Sequence, residues 1–313
     1  MNKTNQEGPD VITLGPNELV EWVTYEDTEY YTRTYNPVNS SPIANLLLIH
    51  GFGEHSDRYE AMARKFAAEN IRVFAFDLKG FGKTGRKQGQ LGNIGPFENT
   101  YKTIHHFSKE LQAKFSSDQV PLFLYGHSMG GCIVLNYAAI PEHSSELAGV
   151  IASSPALLTN PEVMPPAFVV SALKMVSRVF PSIPISSKID PDDLTSNQVE
   201  LEKFKQSFYN YNLSNIGSVS SMLEQGDLCR TQKSKSFSVP CLVAHGKGDK
   251  VTSSNGSTEF YNNLPSSLDK KLVVPDSNYH ELHFEQDFRD MIIGEYLLFI
   301  KSHLHSPSQP SSQ

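Results

Sequence analysis

The sequence predicts an α/β protein in which a mostly parallel central sheet is flanked by helices. Apolar runs of strand length alternate with segments of helical periodicity, and glycine-rich turns separate the two. Several runs lack the polar alternation of strands with one exposed face, as expected for a parallel sheet covered on both sides. With 313 residues, 39% of them hydrophobic, the chain can bury a large core, and we predict a single domain over residues 1–313.

The elements follow in order. A loosely alternating segment, 18–37, predicts an antiparallel entry hairpin ahead of the parallel sheet. Strands of the main sheet are predicted at 45–51, 71–77, 121–126, 147–155, 239–246 and 270–275. Helices are predicted at 59–70, 100–115, 257–264 and 289–304, with another directly after Ser128. The stretch "GRKQGQLGNIG" predicts a long loop beside the sheet.

One segment interrupts the alternation. Residues 156–226 contain dense prolines and no clear strand, and "PAFVVSALKMVSRVF" is apolar on more than one helical face. We interpret this segment as a cap inserted above the sheet. Two interpretations of its apolar helix stay open: a buried helix pair, or a lid that offers apolar surface to a lipid interface. Residues 306–313, "SPSQPSSQ", predict a disordered tail.

Composition excludes several function classes. A net charge of −7 argues against a nucleic-acid partner, since phosphate binding needs concentrated basic surface. Three scattered cysteines fit neither a disulfide framework nor a zinc site and predict reduced thiols of an intracellular, cytoplasmic protein. No apolar leader and no run long enough to span a bilayer is evident.

The motif "GHSMG" places Ser128 in a Gly-x-Ser-x-Gly pattern. The pattern alone is weak, because a serine among glycines is usually only a turn residue. Here it follows a strand candidate and opens a helix candidate, which is the setting of a nucleophile elbow. The sharp turn would expose the serine hydroxyl above the sheet, so Ser128 is the candidate nucleophile.

A serine nucleophile requires a histidine base and an orienting carboxylate, and in this architecture they follow it in the order acid, then histidine. Asp249 follows one predicted strand and His280 follows the next, both at the carboxyl ends where parallel sheets carry their sites. Asp249 could also be a simple turn carboxylate. Asp276 and His283 are rivals close by in sequence, but Asp276 shares a loop with His280 and His283 lies at a predicted helix start.

Two backbone N–H groups must also stabilise the oxyanion of the tetrahedral intermediate. The residue after the nucleophile, Met129, supplies one, and Phe52 in "HGFGEHSDRY" supplies the other. Two competing motifs fail. "HELH" lacks the spacing of the His-Glu-x-x-His metalloprotease motif, and "GKT" lacks the upstream glycine of a phosphate-binding loop because Asp77 stands there.

The motifs "HGFGEHSDRY", "FDLKGFGKTG", "GHSMGG", "SSPAL", "HGKGDKV" and "YHELHFE" resemble, in order and spacing, the monoglyceride lipase and lysophospholipase-like branch of the α/β-hydrolase superfamily. The resemblance runs from about Leu46 to His303. It implies the α/β-hydrolase fold with a helical cap and hydrolysis of monoacylglycerol to glycerol and fatty acid. The triad and oxyanion residues of the family match the candidates named above.

The resemblance also assigns residues to the glycerol end of the pocket, namely Glu54, Arg58, His283 and the cap residue Tyr209. The pair Glu54 and Arg58 could instead be only a local ion pair. We expect the acyl chain to lie in an apolar channel under the cap, against Phe168, Leu173 and Met175. One departure is Asn212-Leu213, where relatives commonly carry Asp-Pro, and another is Thr252, where some relatives carry a cysteine.

Several alternatives stay open at this point. The same triad serves carboxylesterases, lysophospholipases, thioesterases and acyltransferases, and a non-catalytic hydrolase-like binding protein is a further alternative. The mechanism requires no metal or organic cofactor. Expected partners are a small lipid substrate and, through the cap, the surface of a membrane or lipid droplet, with no nucleic acid. A homodimer is an open alternative to a monomer.

Overall fold

The computed structural model describes residues 10–38, 40–115, 120–162, 164 and 167–304. The predicted disordered tail, 306–313, lies outside the described residues. Ten strands are present in the described part of the chain: β1 (Glu18–Tyr25), β2 (Thr28–Tyr35), β3 (Ala44–Ile49), β4 (Ile71–Phe76), β5 (Leu122–His127), β6 (Gly149–Ser153), β7 (Pro184–Ser186), β8 (Leu213–Asn215), β9 (Cys241–Ala244) and β10 (Lys270–Val273).

The described residues also form ten α-helices, and short 3₁₀ turns connect some of the elements. The helices are α1 (Glu60–Ala68), α2 (Gly82–Gln88), α3 (Phe97–Lys114), α4 (Met129–Ala138), α5 (Pro141–Ser144), α6 (Ala167–Val179), α7 (Gln198–Gln206), α8 (Ile216–Thr231), α9 (Ser254–Asn263) and α10 (Arg289–Ser302). Strand and helix order confirm the α/β class. No helix within the described ranges is long and apolar enough to cross a membrane.

Eight strands form one sheet in the order β1-β2-β4-β3-β5-β6-β9-β10. β2 pairs antiparallel with both β1 and β4, which confirms the predicted entry hairpin. From β4 to β10 all neighbouring strands are parallel. The carboxyl ends of β5, β9 and β10 therefore lie along one edge of the sheet, where Ser128 follows β5 directly and Asp249 and His280 lie in the loops after β9 and β10.

Alternate residues of the buried strands enter two separate apolar layers. On β3, Leu47 and Ile49 pack into a layer with α3, α4 and α9, whereas Leu46 and Leu48 pack into a layer with α1 and α10. All four side chains are fully buried. This two-sided burial explains why the strand sequences show little polar alternation, and it holds the site-bearing ends of the strands rigidly between two helical layers.

Two local predictions were wrong. The stretch predicted as a loop beginning at Gly85 lies partly in α2, which ends at Gly89 in a left-handed cap (φ 71°). The cap segment contains a short antiparallel ribbon of β7 and β8, where the sequence showed no clear strand. Strands of three residues are too short for any hydrophobic period to be recognised.

The segment predicted as a cap, residues 156–226, follows β6. Its α6 packs on α8, and α8 packs in turn on α4 and α9 of the main domain. The predicted end of the cap at 226 falls inside α8, so this helix belongs to both parts. Residues of this segment, among them Leu173, Ile185 and Ile216, line a cavity that Ser128 also borders.

Candidate active site

Ser128 stands in a strained turn between β5 and α4. Its backbone has φ 53° and ψ −117°, a region that a serine rarely adopts. The N–H of Ser128 donates to the carbonyl of Ser153 at 2.9 Å, and the carbonyl of Ser128 accepts from Cys132 at 3.0 Å and Ala156 at 2.9 Å. These hydrogen bonds hold the residue in the strained conformation, at the N-terminal end of α4 where the helix dipole favours negative charge.

The glycines around Ser128 allow the turn to be this sharp. A Cβ atom on Gly126 would lie 2.2 Å from the carbonyl oxygen of Gly130, and one on Gly130 would lie 2.3 Å from that of Ile49. Neither distance is sterically allowed. The Gly-x-Ser-x-Gly pattern is therefore required by the close approach of α4 to β3 and β5.

Asp249 and His280 meet across the two loops that follow β9 and β10. Nδ1 of His280 lies 2.6 Å from Oδ2 of Asp249. The other carboxylate oxygen, Oδ1, accepts hydrogen bonds from the backbone N–H groups of Val251 at 2.7 Å and Thr252 at 3.0 Å. With Oδ1 held by the backbone, Oδ2 is aimed at the imidazole.

The charges of this pair stabilise each other. Burial raises the pKa of Asp249, but the charge of His280 and the hydrogen bonds from His245 and His280 outweigh it, so the pKa lies below its usual 3.8. Burial lowers the pKa of His280, but the charge of Asp249 and its hydrogen bond outweigh it, so that pKa lies above its usual 6.5. The carboxylate is therefore ionised, and it favours the imidazolium form of His280.

The loop that carries His280 is tied to the base of the cap. The N–H of His280 donates to the carbonyl of Asp193 at 3.3 Å, and the N–H of Glu281 donates to that of Leu194 at 2.8 Å. Farther along the loop, the carboxylate of Glu285 accepts from the Thr195 hydroxyl at 2.5 Å and from the Ser196 N–H at 2.7 Å. The base of the cap and the histidine loop thus form one hydrogen-bonded unit.

The two predicted oxyanion donors flank Ser128. Met129 is the first residue of α4, and Phe52 lies in the turn after β3. The N–H group of neither residue donates a hydrogen bond to any other described residue. Two uncommitted amide donors beside a serine hydroxyl are what an oxyanion requires.

Two cavities of different chemistry meet at Ser128. The first, here called the polar cavity because it is the more polar of the two, has a volume of about 330 Å³. Its lining combines apolar side chains such as Pro191, Leu194 and Phe204 with the polar side chains of His280, Glu54, Arg58, Glu281 and Asn210. The second, the apolar cavity, has a volume of about 340 Å³ and lies under the cap, lined by residues that include Val170, Leu173, Ile185, Ile216, Met222 and Leu223. Phe52 and Ser128 border both cavities. The arrangement suits an amphiphilic ligand with its reactive bond at the junction.

Glu54 and Arg58 form a buried ion pair that a third residue completes. Nη1 of Arg58 lies 2.5 Å from Oε2 of Glu54 and 2.6 Å from Oε1 of Glu281, and Nη2 lies 2.9 Å from Oε2 of Glu281. Glu54 also accepts from the N–H of Gly51 at 2.6 Å and the hydroxyl of Tyr59 at 2.7 Å. The local ion pair considered from the sequence is present, and it also lines the polar cavity.

His283 and Tyr209 lie elsewhere. His283 is buried and stacks on Tyr59 with ring centroids 5.0 Å apart, in a turn and not at a helix start. It lines a separate cavity of about 590 Å³, which Arg58 borders as well. Tyr209 contacts His55 and Lys83 rather than the polar cavity, and the cap tyrosine that does line this cavity is Tyr211.

Phe168, Leu173 and Met175 were expected together along the acyl channel. Leu173 lines the apolar cavity. Phe168 and Met175 are 75% and 70% exposed and face away from it. That expectation was therefore wrong for two of the three residues, because α6 turns only one face toward the cavity.

Two other carboxylates considered from the sequence, Asp276 and Asp77, have partners outside the site. Asp276 is exposed and pairs with Lys247 at 3.4 Å. Asp77, the residue that breaks the phosphate-loop motif, accepts from the N–H of Lys83 at 2.6 Å and from the N–H of Ser56 at 2.8 Å, and it thereby joins the two loops. Each of these carboxylates has a structural partner away from Ser128.

Glu281, Tyr211 and Glu285 were not predicted from the sequence, although Glu281 and Tyr211 line the polar cavity. Glu281 directly follows the predicted base in "YHELHFE", which was the available signal for a functional residue. Its partner Arg58 is 223 residues away, so no local pattern shows the contact.

Comparisons with known proteins identify the family of this chain. The sequence profile of the family described as serine aminopeptidase, S33, matches residues 40–287. A protein of Schizosaccharomyces pombe named "Putative monoglyceride lipase" is 32% identical over 90% of this chain and 73% of its own length. The monoglyceride lipase of Homo sapiens is 29% identical over 83% of this chain and 82% of its own length.

A solved structure shows the same fold. A soluble variant of the monoglyceride lipase of Saccharomyces cerevisiae, in complex with a substrate analogue, superposes with a TM-score of 0.85 at 21% identity, covering 95% of this chain and 99% of that one. With the mostly parallel sheet, this match confirms the predicted α/β-hydrolase fold. The chain belongs to the serine aminopeptidase S33 family of α/β-hydrolases and is a hydrolase similar to the monoglyceride lipases.

Proposed function

We propose that this protein hydrolyses monoacylglycerol to glycerol and a free fatty acid through an acyl-enzyme intermediate. The observation that carries the proposal is the position of Ser128 at the junction of an apolar and a polar cavity. A monoacylglycerol has one apolar chain and one small polyol, joined by the ester bond. The sequence similarity to monoglyceride lipases supports the same substrate class.

In the proposed acylation step, His280 removes the proton of the Ser128 hydroxyl as its oxygen attacks the acyl carbonyl carbon. The N–H groups of Phe52 and Met129 stabilise the negative charge that develops on the carbonyl oxygen. Asp249 holds His280 with its proton on Nδ1 and stabilises the imidazolium. His280 then gives the proton to the departing glycerol oxygen, and the acyl group stays on Ser128.

Deacylation repeats these steps with water as the nucleophile. His280 removes a proton from the water, whose oxygen attacks the acyl-enzyme carbonyl, and then returns the proton to the Ser128 oxygen as it leaves. Fatty acid and free enzyme result. Every proton transfer in this scheme uses a group of the chain itself.

The substrate class can be measured directly. We expect monoacylglycerol to be hydrolysed with a higher kcat/KM than diacylglycerol, a lysophospholipid or a p-nitrophenyl ester of the same acyl chain, because its one acyl chain and small uncharged polyol suit the apolar and the polar cavity. The measurement is the release of glycerol and fatty acid from each substrate in the same nonionic detergent. Fastest turnover of the p-nitrophenyl ester, with slow turnover of all glycerolipids, would identify a general carboxylesterase instead.

We also propose that the cap binds reversibly to lipid surfaces. Four large apolar side chains project outward from α6 and the turn after it, and they are 61% to 75% exposed: Phe168, Met175, Val179 and Phe180. The ionisable residues of α6 are the bases Lys174 and Arg178, which would attract anionic lipid. A surface-bound cap would place the apolar cavity next to the source of its substrate.

Vesicle flotation tests this proposal. We expect the wild type to float with vesicles of phosphatidylcholine and phosphatidylserine, and the double variant Phe168→Ser, Met175→Ser to float several-fold less because apolar surface is lost from the interface. The matched control is Leu298→Ser on α10, which removes a 65% exposed leucine remote from the cap. Equal flotation of all three proteins would contradict the proposal.

A further inference from the structure

The polar cavity contains a buried cation whose charge is already compensated. Among the described residues that line this cavity, Arg58 and Lys205 are basic. Lys205 is at the exposed rim, where its Nζ lies 2.6 Å from Asp192. The Arg58 side chain is only 7% exposed. Apart from the candidate base His280, it is the buried cation that an anionic ligand in the cavity could use.

The Arg58 guanidinium makes hydrogen bonds in its plane and contacts aromatic rings near its faces. Its Nη atoms donate to Glu54 once and to Glu281 twice, at 2.5 to 2.9 Å. The guanidinium plane lies over the ring of Phe204 at 4.7 Å and near that of Phe284 at 5.1 Å. Phe204 comes from α7 of the cap and Phe284 from the histidine loop. The two carboxylates and the two rings therefore cover most of this guanidinium, and a phosphate or carboxylate would have to compete with them for it.

Arg58 has two carboxyl partners, which is one more than its single positive charge requires. Glu54 alone would neutralise Arg58, and Glu54 is additionally held by Gly51 and Tyr59. Glu281 adds a second carboxylate to the same cation, with side-chain exposure of only 2%. Its burial, reinforced by the nearby charge of Glu54, raises its pKa above the usual 4.5 in spite of Arg58. The carboxyl oxygens of Glu54 and Glu281 in the cavity lining accept hydrogen bonds from hydroxyl groups, and the ionised Glu54 repels anions.

We propose that Glu281 is a specificity-determining residue. Its carboxyl group binds the Arg58 guanidinium, so that the polar cavity accepts an uncharged polyol as the leaving group and rejects an anionic head group. The inference rests on the ester hydrolysis proposed above, and it adds the residue that selects the leaving group by charge. The proposal has a direct consequence for a variant. If the Glu281 carboxylate is removed, Arg58 keeps one acidic partner, and the N–H groups that were bonded to Glu281 can bind a phosphate.

The test compares the wild type with Glu281→Gln and with Asp276→Asn as the matched control. Asp276→Asn removes the same charge from the same loop, but at an exposed position. Each protein is assayed on monoacylglycerol and on lysophosphatidic acid of equal chain length in nonionic micelles. We expect the wild type to favour monoacylglycerol by about 100-fold in kcat/KM, and Glu281→Gln to reduce this preference by about tenfold. Asp276→Asn should leave the preference unchanged.

A second readout does not depend on glycerolipid hydrolysis. Glycerol 3-phosphate is tested as an inhibitor of p-nitrophenyl butyrate hydrolysis by the same proteins. Glu281→Gln should bind it about tenfold more tightly than the wild type and Asp276→Asn do. If no protein cleaves monoacylglycerol but this inhibition changes as expected, the proposed substrate falls and the role of Glu281 stands.

The opposite results overturn the inference. They are a wild type that cleaves lysophosphatidic acid as well as monoacylglycerol, or a Glu281→Gln variant whose preference and inhibition match those of Asp276→Asn. Glu281→Gln is expected to fold, because Arg58 and Glu54 remain a balanced pair and the glutamine amide oxygen still accepts a hydrogen bond. Glu281→Ser, which also removes the carboxylate, is the second variant should the first fail to fold.

Discussion

Ser128→Ala is expected to lower kcat for ester hydrolysis by roughly 10⁴- to 10⁶-fold, because no other group in the site can form the acyl-enzyme. The variant should fold as the wild type does. The backbone hydrogen bonds that hold residue 128 in its strained turn come from main-chain atoms, and alanine keeps them. The measurement is kcat on monoacylglycerol and on a p-nitrophenyl ester, alongside the unfolding temperature.

A fluorophosphonate probe makes this prediction specific. It should form one covalent adduct, at Ser128, in the folded wild type and none in Ser128→Ala. The control Ser144→Ala removes a hydroxyl from the surface, where it contacts the carbonyl of Pro141 at 3.0 Å, and should be labelled like the wild type. A folded wild-type protein that stays unlabelled and inactive on every ester would favour the non-catalytic binding protein over the enzyme.

Asp249→Asn is expected to lower kcat/KM by about 10⁴-fold while the fold is retained. The amide oxygen of asparagine can still accept from the N–H groups of Val251 and Thr252, as Oδ1 of Asp249 does. The amide nitrogen would then face Nδ1 of His280 as a donor. The imidazole must carry its proton on Nε2 instead, and it can no longer take a proton from Ser128 with that nitrogen.

The pH dependence gives this variant a second signature. His280 acts as a base only when it is neutral, so kcat/KM of the wild type rises with pH as His280 loses its proton. Because Asp249 holds the pKa of His280 above the usual 6.5, the midpoint of this rise lies above 6.5. In Asp249→Asn the anion is gone and burial lowers the pKa of His280, so the residual activity should rise at lower pH.

The control for both readouts is Asp276→Asn, which removes an exposed carboxylate from the His280 loop. It should retain wild-type kcat/KM and the wild-type pH midpoint. If Asp249→Asn kept activity within about tenfold of the wild type, or if its pH midpoint did not move, Asp249 would not be the orienting acid.

The fold followed from local sequence patterns to a large extent. The six predicted strands of the parallel sheet are β3, β4, β5, β6, β9 and β10, with bounds that differ by a few residues at most. Their apolar runs are long and bounded by turn residues, so period and length identify them. α2 and the β7–β8 ribbon were not predicted, because each is short and depends on neighbours distant in the chain.

By itself, the sequence determined the α/β class and the order in which Ser128, Asp249 and His280 follow three strands of one parallel sheet. Chain order alone suffices for this, since every parallel strand delivers its carboxyl end to the same edge. Only the tertiary structure decided which side chains meet at that edge. Glu281 binds Arg58, and Tyr211 rather than Tyr209 lines the polar cavity. One face of α6 lies against the apolar cavity. These contacts join residues far apart in the chain, and packing, not local propensity, sets the direction of each side chain.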